Sequence, residues 1–154
     1  AARNDHGHGG NIGNTIYRRT IEWVKDGTLA VGDEQAGRPD LWGDGLYDSA
    51  LYVIDAVTAY VGTAPTGAAI LIDIEYINPT TGVATSIFST KLTIAAGAQR
   101  QTASVNIFSG DGTIPVLSDL IMSIDQVGST VAGADLSVKL HLKIATLALV
   151  LTGA

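Results

Sequence analysis

The feature that most constrains the fold is a strict alternation of apolar and polar residues near the end of the chain. Between positions 134 and 144 every second residue is apolar, namely Leu136, Val138, Leu140, Leu142 and Ile144. A period of two places these side chains on one face of an extended strand. The pattern therefore predicts one long β-strand with one face in a hydrophobic core and the other face, which carries Ser137, Lys139, His141 and Lys143, in solvent.

A second segment, residues 61–90, reads as a turn, a strand, a hairpin turn and a returning strand. Its first strand has one apolar face and one face that carries Asp73 and Glu75, and the sequence Asn-Pro-Thr-Thr-Gly at 78–82 forms the turn. An acid–base pair requires a neighbouring group that separates the two pKa values, and no His, Lys or second acidic cluster lies near these carboxylates in the sequence. We expect both to lie on a solvated outer face.

Further strands are predicted where β-branched and aromatic residues dominate. Residues 16–24 read as a strand rather than a helix, ending in a tight turn at Asp26-Gly27 with a short strand at 28–31. Residues 51–61 are apolar on both faces, which predicts a strand that is covered on both sides or lies at a subunit contact. Shorter strands are predicted at 91–96, 101–107 and 119–127.

Short strands separated by turns are typical of a β-sandwich or barrel. A length of 154 residues suits one domain with one core. We predict an all-β fold: a single antiparallel β-sandwich of about eight strands, a jelly roll, over residues 15–154.

The first fourteen residues differ from the rest of the chain. Residues 1–14 contain four Gly, three Asn and one large apolar residue, and such a segment cannot offset the entropy cost of ordering by itself. We predict a flexible, extended N-terminal arm that is either disordered or becomes ordered on a partner. We expect partner contacts through Asn11, Ile12 and Asn14 of the arm and through Ile16 just after it. His6 and His8 in this arm are too few to form a good metal site.

The long loop at 32–48 is a second candidate contact segment. Four of its side chains are too apolar for free solvent, and we expect them to dock on the sheet or on a neighbouring subunit: Leu41, Trp42, Leu46 and Tyr47. The loop also holds five acidic residues, but they lack the Asp-x-Asp-x-Asp-Gly spacing of a calcium loop. We predict no metal site.

Composition and motifs exclude several classes of function. A net charge of −6, with scattered basic residues, argues against nucleic-acid binding. No apolar run reaches the roughly 20 residues of a membrane helix. No phosphate loop, dinucleotide fingerprint, nucleophile elbow or zinc-protease motif is present. We therefore predict no catalytic residues, no cofactor, no membrane partner and no enzymatic activity, and we expect the apolar tail at 145–154 to be buried against a partner chain.

Four stretches together resemble a domain that recurs in the virion proteins of tailed bacteriophages. These are VGTAPTGAAILIDI, TSIFST, LTIAAG and LSDLIMSIDQVGSTVAGADLSVKL. The resemblance covers roughly residues 23–143. Its most specific parts are GTAPTG before a strand, the Ser-Ile-Phe-Ser strand, and DQVGSTVAGADL. Proteins with this domain include head-decoration, fibre and tail-tip components.

The resemblance implies a structural role in the virion, often as a homotrimer, and carries no catalytic residues. A single domain preceded by an arm suits a capsid decoration (cement) protein on the capsid surface, with the major capsid protein as its partner and the arm lying on neighbouring subunits. The alternatives are a receptor-binding or fibre-tip module that contacts a host-surface receptor or glycan, and a carbohydrate-binding jelly-roll module.

Overall fold

The computed structural model describes residues 18–32, 35–37, 51–101 and 112–146, and all regular structure in these ranges is β-strand. The described strands are β1 (Arg18–Thr28), β2 (Gln35–Gly37), β3 (Leu51–Thr63), β4 (Ile70–Ile77), β5 (Ala84–Ser86), β6 (Leu92–Ile94), β7 (Thr113–Ile114), β8 (Asp119–Gln126) and β9 (Ala134–Thr146). The predicted arm at 1–14 and nearly all of the predicted strand at 101–107 lie outside the described residues, as does most of the tail at 145–154.

The strands form two antiparallel sheets. Sheet A has the order β1-β9-β3-β7, and sheet B has the order β2-β8-β4-β5, with β6 also paired to β4. Because β8 occupies one side of β4, β5 and β6 both lie on its other side, against its two halves. If β5 and β6 are counted as one interrupted strand, the described strands number eight. Their order within the two sheets is that of a jelly roll. The predicted fold class is confirmed.

The core lies between the inner faces of the two sheets. β4 and β8 supply Ile70, Ile72, Ile74, Leu120, Met122 and Ile124, which face Leu136, Val138, Leu140 and Leu142 of β9, and all ten have no exposed surface. Each such side chain contributes about 1.5–3 kcal/mol relative to leaving it exposed. The predicted alternation of β8 and of β9 is confirmed, and β9 is the centre of sheet A, with β1 on one side and β3 on the other.

The apolar character of β3 on both faces has a simple geometric cause. A bulge lies between Ile54 and Ala56, and it shifts the residues that face the core from even to odd positions: Tyr52 and Ile54 before it, Val57, Ala59 and Val61 after it. A bulge inserts one residue and so reverses the alternation. The expectation that the chain covers both faces is wrong, because Thr58 and Tyr60 are exposed; a subunit contact stays a prediction.

The predicted turn at Asp26-Gly27 is also a bulge. β1 continues to Thr28, which pairs with Ala134, and the register with β9 shifts between Lys25 and Thr28. Gly27 supplies the positive φ, 80°, that this irregularity needs, and its N–H donates to Asp135 Oδ1 at 2.8 Å. The strand prediction for this region is confirmed, whereas the turn is wrong because β9 offers a pairing partner beyond Gly27.

The hairpin after β4 is confirmed, but its returning strand is broken. Asn78 closes the turn through its Oδ1, which accepts hydrogen bonds from the N–H groups of Thr80 at 2.8 Å and Thr81 at 3.2 Å. β5 runs for three residues, and Ile87 N–H just after it still donates to Ile74 O of β4 at 2.8 Å. Strand pairing with β4 then resumes at β6. The chain between β5 and β6 departs from the sheet edge beside Asp73.

Two loops at one end of the sandwich are fastened to each other through their backbones. We call residues 64–69 and 127–133 the loop cap. Thr66 N–H donates to Val131 O, and Thr130 N–H donates to Thr66 O, both at 3.0 Å. A Cβ on Gly128 would lie 1.8 Å from Val131 O. The close approach therefore requires glycine at position 128. The loop cap also contains most of the sequences GTAPTG and DQVGSTVAGADL.

The strand directions define two ends of the molecule. β3 and β8 finish at the loop cap, and β4 and β9 begin there. β1 begins and β9 finishes at the opposite end, where Arg18 pairs with Lys143. Because residues 1–17 connect to β1 at this second end, we call it the arm end.

Replacement of Gly128 by Ala tests the loop cap. We expect Gly128→Ala to lower the free energy of unfolding by about 3 kcal/mol or more, because the new methyl group collides with backbone atoms that cannot move independently. Gly97→Ala is the matched control: a Cβ there meets nothing within 4 Å, and only the positive φ of 81° opposes it, at about 1–2 kcal/mol. Equal losses in urea unfolding would contradict the close approach.

Candidate functional site

All eight partner-binding residues predicted from the sequence lie outside the described residues. Asn11, Ile12, Asn14 and Ile16 belong to residues 1–17, and Leu41, Trp42, Leu46 and Tyr47 belong to residues 38–50. Their roles stay predictions. The described residues contain two polar groupings that could act on a partner or ligand, one on the outer face of each sheet.

The outer face of sheet B contains a buried carboxylate. The side chain of Asp73 is 8% exposed, accepts a hydrogen bond from Ser86 Oγ, and has its Oδ2 3.9 Å from Lys91 Nζ. The expected solvated position is wrong for Asp73, because Ser86 at the end of β5 and Lys91 in the segment before β6 both lie against it. Glu75, two residues further along β4, is half-buried.

Lys91 links this carboxylate to the neighbouring strand. Its Nζ also donates to Asp125 Oδ2 on β8, and Ser123 Oγ donates to Asp125 Oδ1 at 3.3 Å. The hydrogen bond to Asp125 raises the pKa of Lys91 above its ordinary 10.5, and attraction by Asp125, Asp73 and Glu75 adds to this against the effect of desolvation. Through these contacts Lys91 connects the segment between β5 and β6 to β4 and β8.

The outer face of sheet A concentrates positive charge in a chain of net charge −6. Four of the nine Lys and Arg residues lie on or beside it: Arg18, Arg100, Lys139 and Lys143. Asp55 compensates two of them, with Arg18 Nη1 at 3.4 Å and Lys143 Nζ at 3.8 Å. Lys139 and Arg100 have no ion-pair partner among the described residues.

A shallow depression of about 250 Å³ lies between these two uncompensated cations. We call it the sheet A depression, and it is lined by Thr58, Ala59, Tyr60, Arg100, Ser137 and Lys139. The register of β3 and β9 places Thr58 beside Lys139 and Tyr60 beside Ser137, so each row of the surface offers at least one hydroxyl. The lining contains two cations and no carboxylate.

Arg100 is held over the depression by its own backbone and by Tyr60. Its Cζ lies 5.3 Å from the centroid of the Tyr60 ring, within the range of a cation–π contact. The residues on either side of it are bonded to the edge of β3: Val61 N–H donates to Gln99 O at 2.9 Å, and Gln101 N–H donates to Ala59 O at 3.3 Å. The guanidinium is therefore presented from a fixed position.

The structure also describes the surroundings of His141 and the grouping of possible metal ligands. His141 lies on the outer face of sheet A, as predicted, with Nδ1 3.1 Å from Thr20 Oγ1, so it has a protein partner in addition to solvent. Within residues 18–32, 35–37, 51–101 and 112–146, no group of three or more His, Asp or Glu side chains is arranged to hold a metal ion.

Sequence reasoning did not find the sheet A depression. It assigned Ser137 and Lys139 to the outer face of a strand, but Tyr60 and Arg100 come from separate segments whose pairing follows from the fold. The bulge in β3 also hid the outward position of Tyr60. The presence of a Tyr in an otherwise apolar segment was the one signal that the sequence offered.

Comparison with known proteins gives no relative. No protein-family model matches the chain, and neither a curated protein nor a solved structure matches it.

The pH dependence of stability tests the Lys91 group. A pKa that folding raises above 10.5 contributes stability that is fully present below 10.5 and is lost as the pH rises through the folded-state value. We expect Lys91→Gln to be less stable than the unaltered chain at pH 7, by about 1 kcal/mol or less because the ammonium is largely exposed. This gap is expected to close as the pH rises above 10.5.

Urea unfolding of both chains at several pH values between 7 and 11 measures the gap. A gap that stays constant or widens toward high pH would contradict the assigned role of the Lys91 ammonium.

Proposed function

We propose that this chain is a structural protein of a bacteriophage virion that decorates the head lattice as a homotrimer. Its partner is the major capsid protein, and the N-terminal arm contacts neighbouring subunits of the lattice. The protein acts by binding and by bridging neighbouring subunits, and it carries out no reaction.

The observation that carries this proposal is the position of the segments that resemble phage virion domains. GTAPTG and DQVGSTVAGADL are far apart in the sequence, yet they supply the two loops of the loop cap and bond to each other through Thr66, Thr130 and Val131. Glycine at 128 is required by the contact itself. The resemblance thus follows residues that determine one structural unit of the jelly roll, which supports common architecture over chance similarity of small-residue loops.

The positions of the strand ends suggest which side faces the capsid. The arm connects to β1 at the arm end, so an arm that lies on the lattice brings that end toward the shell. Two large apolar side chains are exposed there, Val83 at 58% and Leu117 at 57%, and two are exposed at the loop-cap end, Val31 and Val131. The orientation therefore rests on the attachment of the arm. Leu117 also has a positive φ of 63°, which is strained for a branched side chain and displays it outward. In the proposed arrangement these side chains contact the shell.

A second candidate function is a receptor-binding module of a tail or head fibre. The sheet A depression favours it, because a discrete polar concavity with a fixed cation suits a small ligand better than a broad protein contact.

Deletion of residues 1–14 tests the role of the arm. We expect the truncated chain to bind purified capsids at least about tenfold more weakly, ~1.4 kcal/mol, because the contacts that the arm makes on neighbouring subunits are lost. Cosedimentation with capsids that lack the decoration protein measures the binding. The control is the mass in solution, which we expect to be three times the 15.9 kDa chain mass for both forms. Unchanged binding by the truncated trimer would contradict the arm's role.

Charge substitutions at opposite ends test the orientation. Val83 and Val31 are exposed valines, 58% and 61%, at the arm end and at the loop-cap end respectively. We expect Val83→Asp to weaken capsid binding by about tenfold or more, because the carboxylate would be buried in the contact, whereas Val31→Asp leaves it unchanged. Both substitutions should change the free energy of unfolding by about 0.5 kcal/mol or less. The reverse order of the two effects would invert the proposed orientation.

A further inference from the structure

The sheet A depression has the features of a small anion-binding site. Arg100 and Lys139 both lie on its lining, and neither has an ion-pair partner among the described residues. Glu22 of β1 pairs in register with Lys139 and forms no ion pair with it; it accepts a hydrogen bond from Ser137 Oγ at 3.0 Å, on the side of β9 away from β3. The cationic charge of the lining is therefore available to a ligand.

The edge of β3 beside the depression is closed to an added peptide strand. The side-chain amide of Gln101 both donates to Val57 O, at 2.6 Å, and accepts from Ala59 N–H. The backbone of 99–101 takes Ala59 O and Val61 N–H. A peptide that binds by strand addition needs these groups free. Recognition in the depression must instead use side chains.

The side chains available are cations and hydroxyls. Thr58 and Tyr60 offer hydroxyl groups that both donate and accept hydrogen bonds, and Tyr60 is 40% exposed. Ser137 Oγ donates its proton to Glu22 and can therefore only accept from a ligand. A guanidinium held in place suits a carboxylate, which it can contact through two parallel N–H groups. The complementary ligand carries one carboxylate on a body rich in hydroxyl groups.

We infer that the sheet A depression binds a carboxylate-bearing sugar residue of an acidic glycan. Arg100 and Lys139 take the carboxylate, and the hydroxyls of Thr58 and Ser137 take hydroxyl groups of the same sugar ring. Tyr60 keeps the guanidinium in place from below. This assignment stands on the depression alone, so a failure to bind capsids would leave it unaffected.

The experiment titrates the full-length chain, labelled with ¹⁵N, with a trimer of galacturonic acid and with the methyl ester of the same trimer. The ester keeps the sugar and removes the charge. We expect the acid to shift the backbone amide signals of 58–60 and 137–139, and the ester to bind about tenfold more weakly or not at all. 3′-Sialyllactose and lactose form a second pair of the same design.

Matched substitutions on one face locate the binding. Arg100→Gln and Lys139→Gln should each reduce the affinity for the acidic sugar by about tenfold. Lys143→Gln is the control, since it removes the same charge from the same face of β9 outside the depression, and we expect no change. The dispersion of the amide spectrum checks that each variant is folded. If Arg100→Gln is unfolded, the affinity of Lys139→Gln and the amide shifts of the unaltered chain still test where the sugar binds.

Each other outcome overturns the inference. No binding of either acidic sugar at millimolar concentration would exclude the ligand class, and equal binding of the ester would exclude the role of the two cations. Equal shifts from inorganic phosphate or from a glutamate-rich peptide would mean that the depression selects charge alone. Binding that survives both substitutions would place the site elsewhere.

Discussion

The fold depends on the backbone contact between the two loops of the loop cap. Thr66 exchanges hydrogen bonds with Thr130 and Val131, and Gly128 lets the chains approach closely enough to make them. This contact fixes where the chain leaves β3 for β4 and where it leaves β8 for β9. The start of β9 in turn fixes its register with β1 and β3. The alternation in the core and the side-by-side rows of the sheet A depression both follow from that register.

The sequence predicted the strands whose alternation of apolar and polar residues is complete within one segment. β8 and β9 alternate over most of their length because one face of each is buried there. Their register shifts, at Asp125 of β8 and at Ala145 of β9, lie near the strand ends and leave the alternation intact. β1 and β3 contain bulges within their length, at Gly27 and at Asp55, whose existence depends on the partner strand. A dipeptide such as Asp26-Gly27 has the same local preference in a hairpin and in a bulge. Local propensity therefore predicted the strand and missed its continuation.

The polar groupings could not be predicted because their members come from separate strands. Asp73 is covered by Ser86 at the end of β5 and by Lys91 in the segment between β5 and β6, and nothing in the alternating pattern of β4 indicates these neighbours. Tyr60 and Arg100 are paired although they lie in segments that are far apart in the sequence. The outer face of β9 was predicted correctly, but whether it lines a depression depends on the residues that β3 places beside it. A charge distribution over a folded surface is a property of register, which the pattern of one strand does not contain.

The proposed docking end and the proposed ligand-binding face lie on different sides of one scaffold. The arm end carries the proposed shell contacts, the loop cap lies at the far end, and the sheet A depression opens to the side. A cryo-electron microscopy reconstruction of capsids saturated with this protein tests that arrangement most directly. The account predicts trimeric density with the arm end against the shell, residues 1–14 extended over neighbouring capsid subunits, and the loop cap pointing outward. Capsids without added density, or density with the loop cap against the shell, would contradict it.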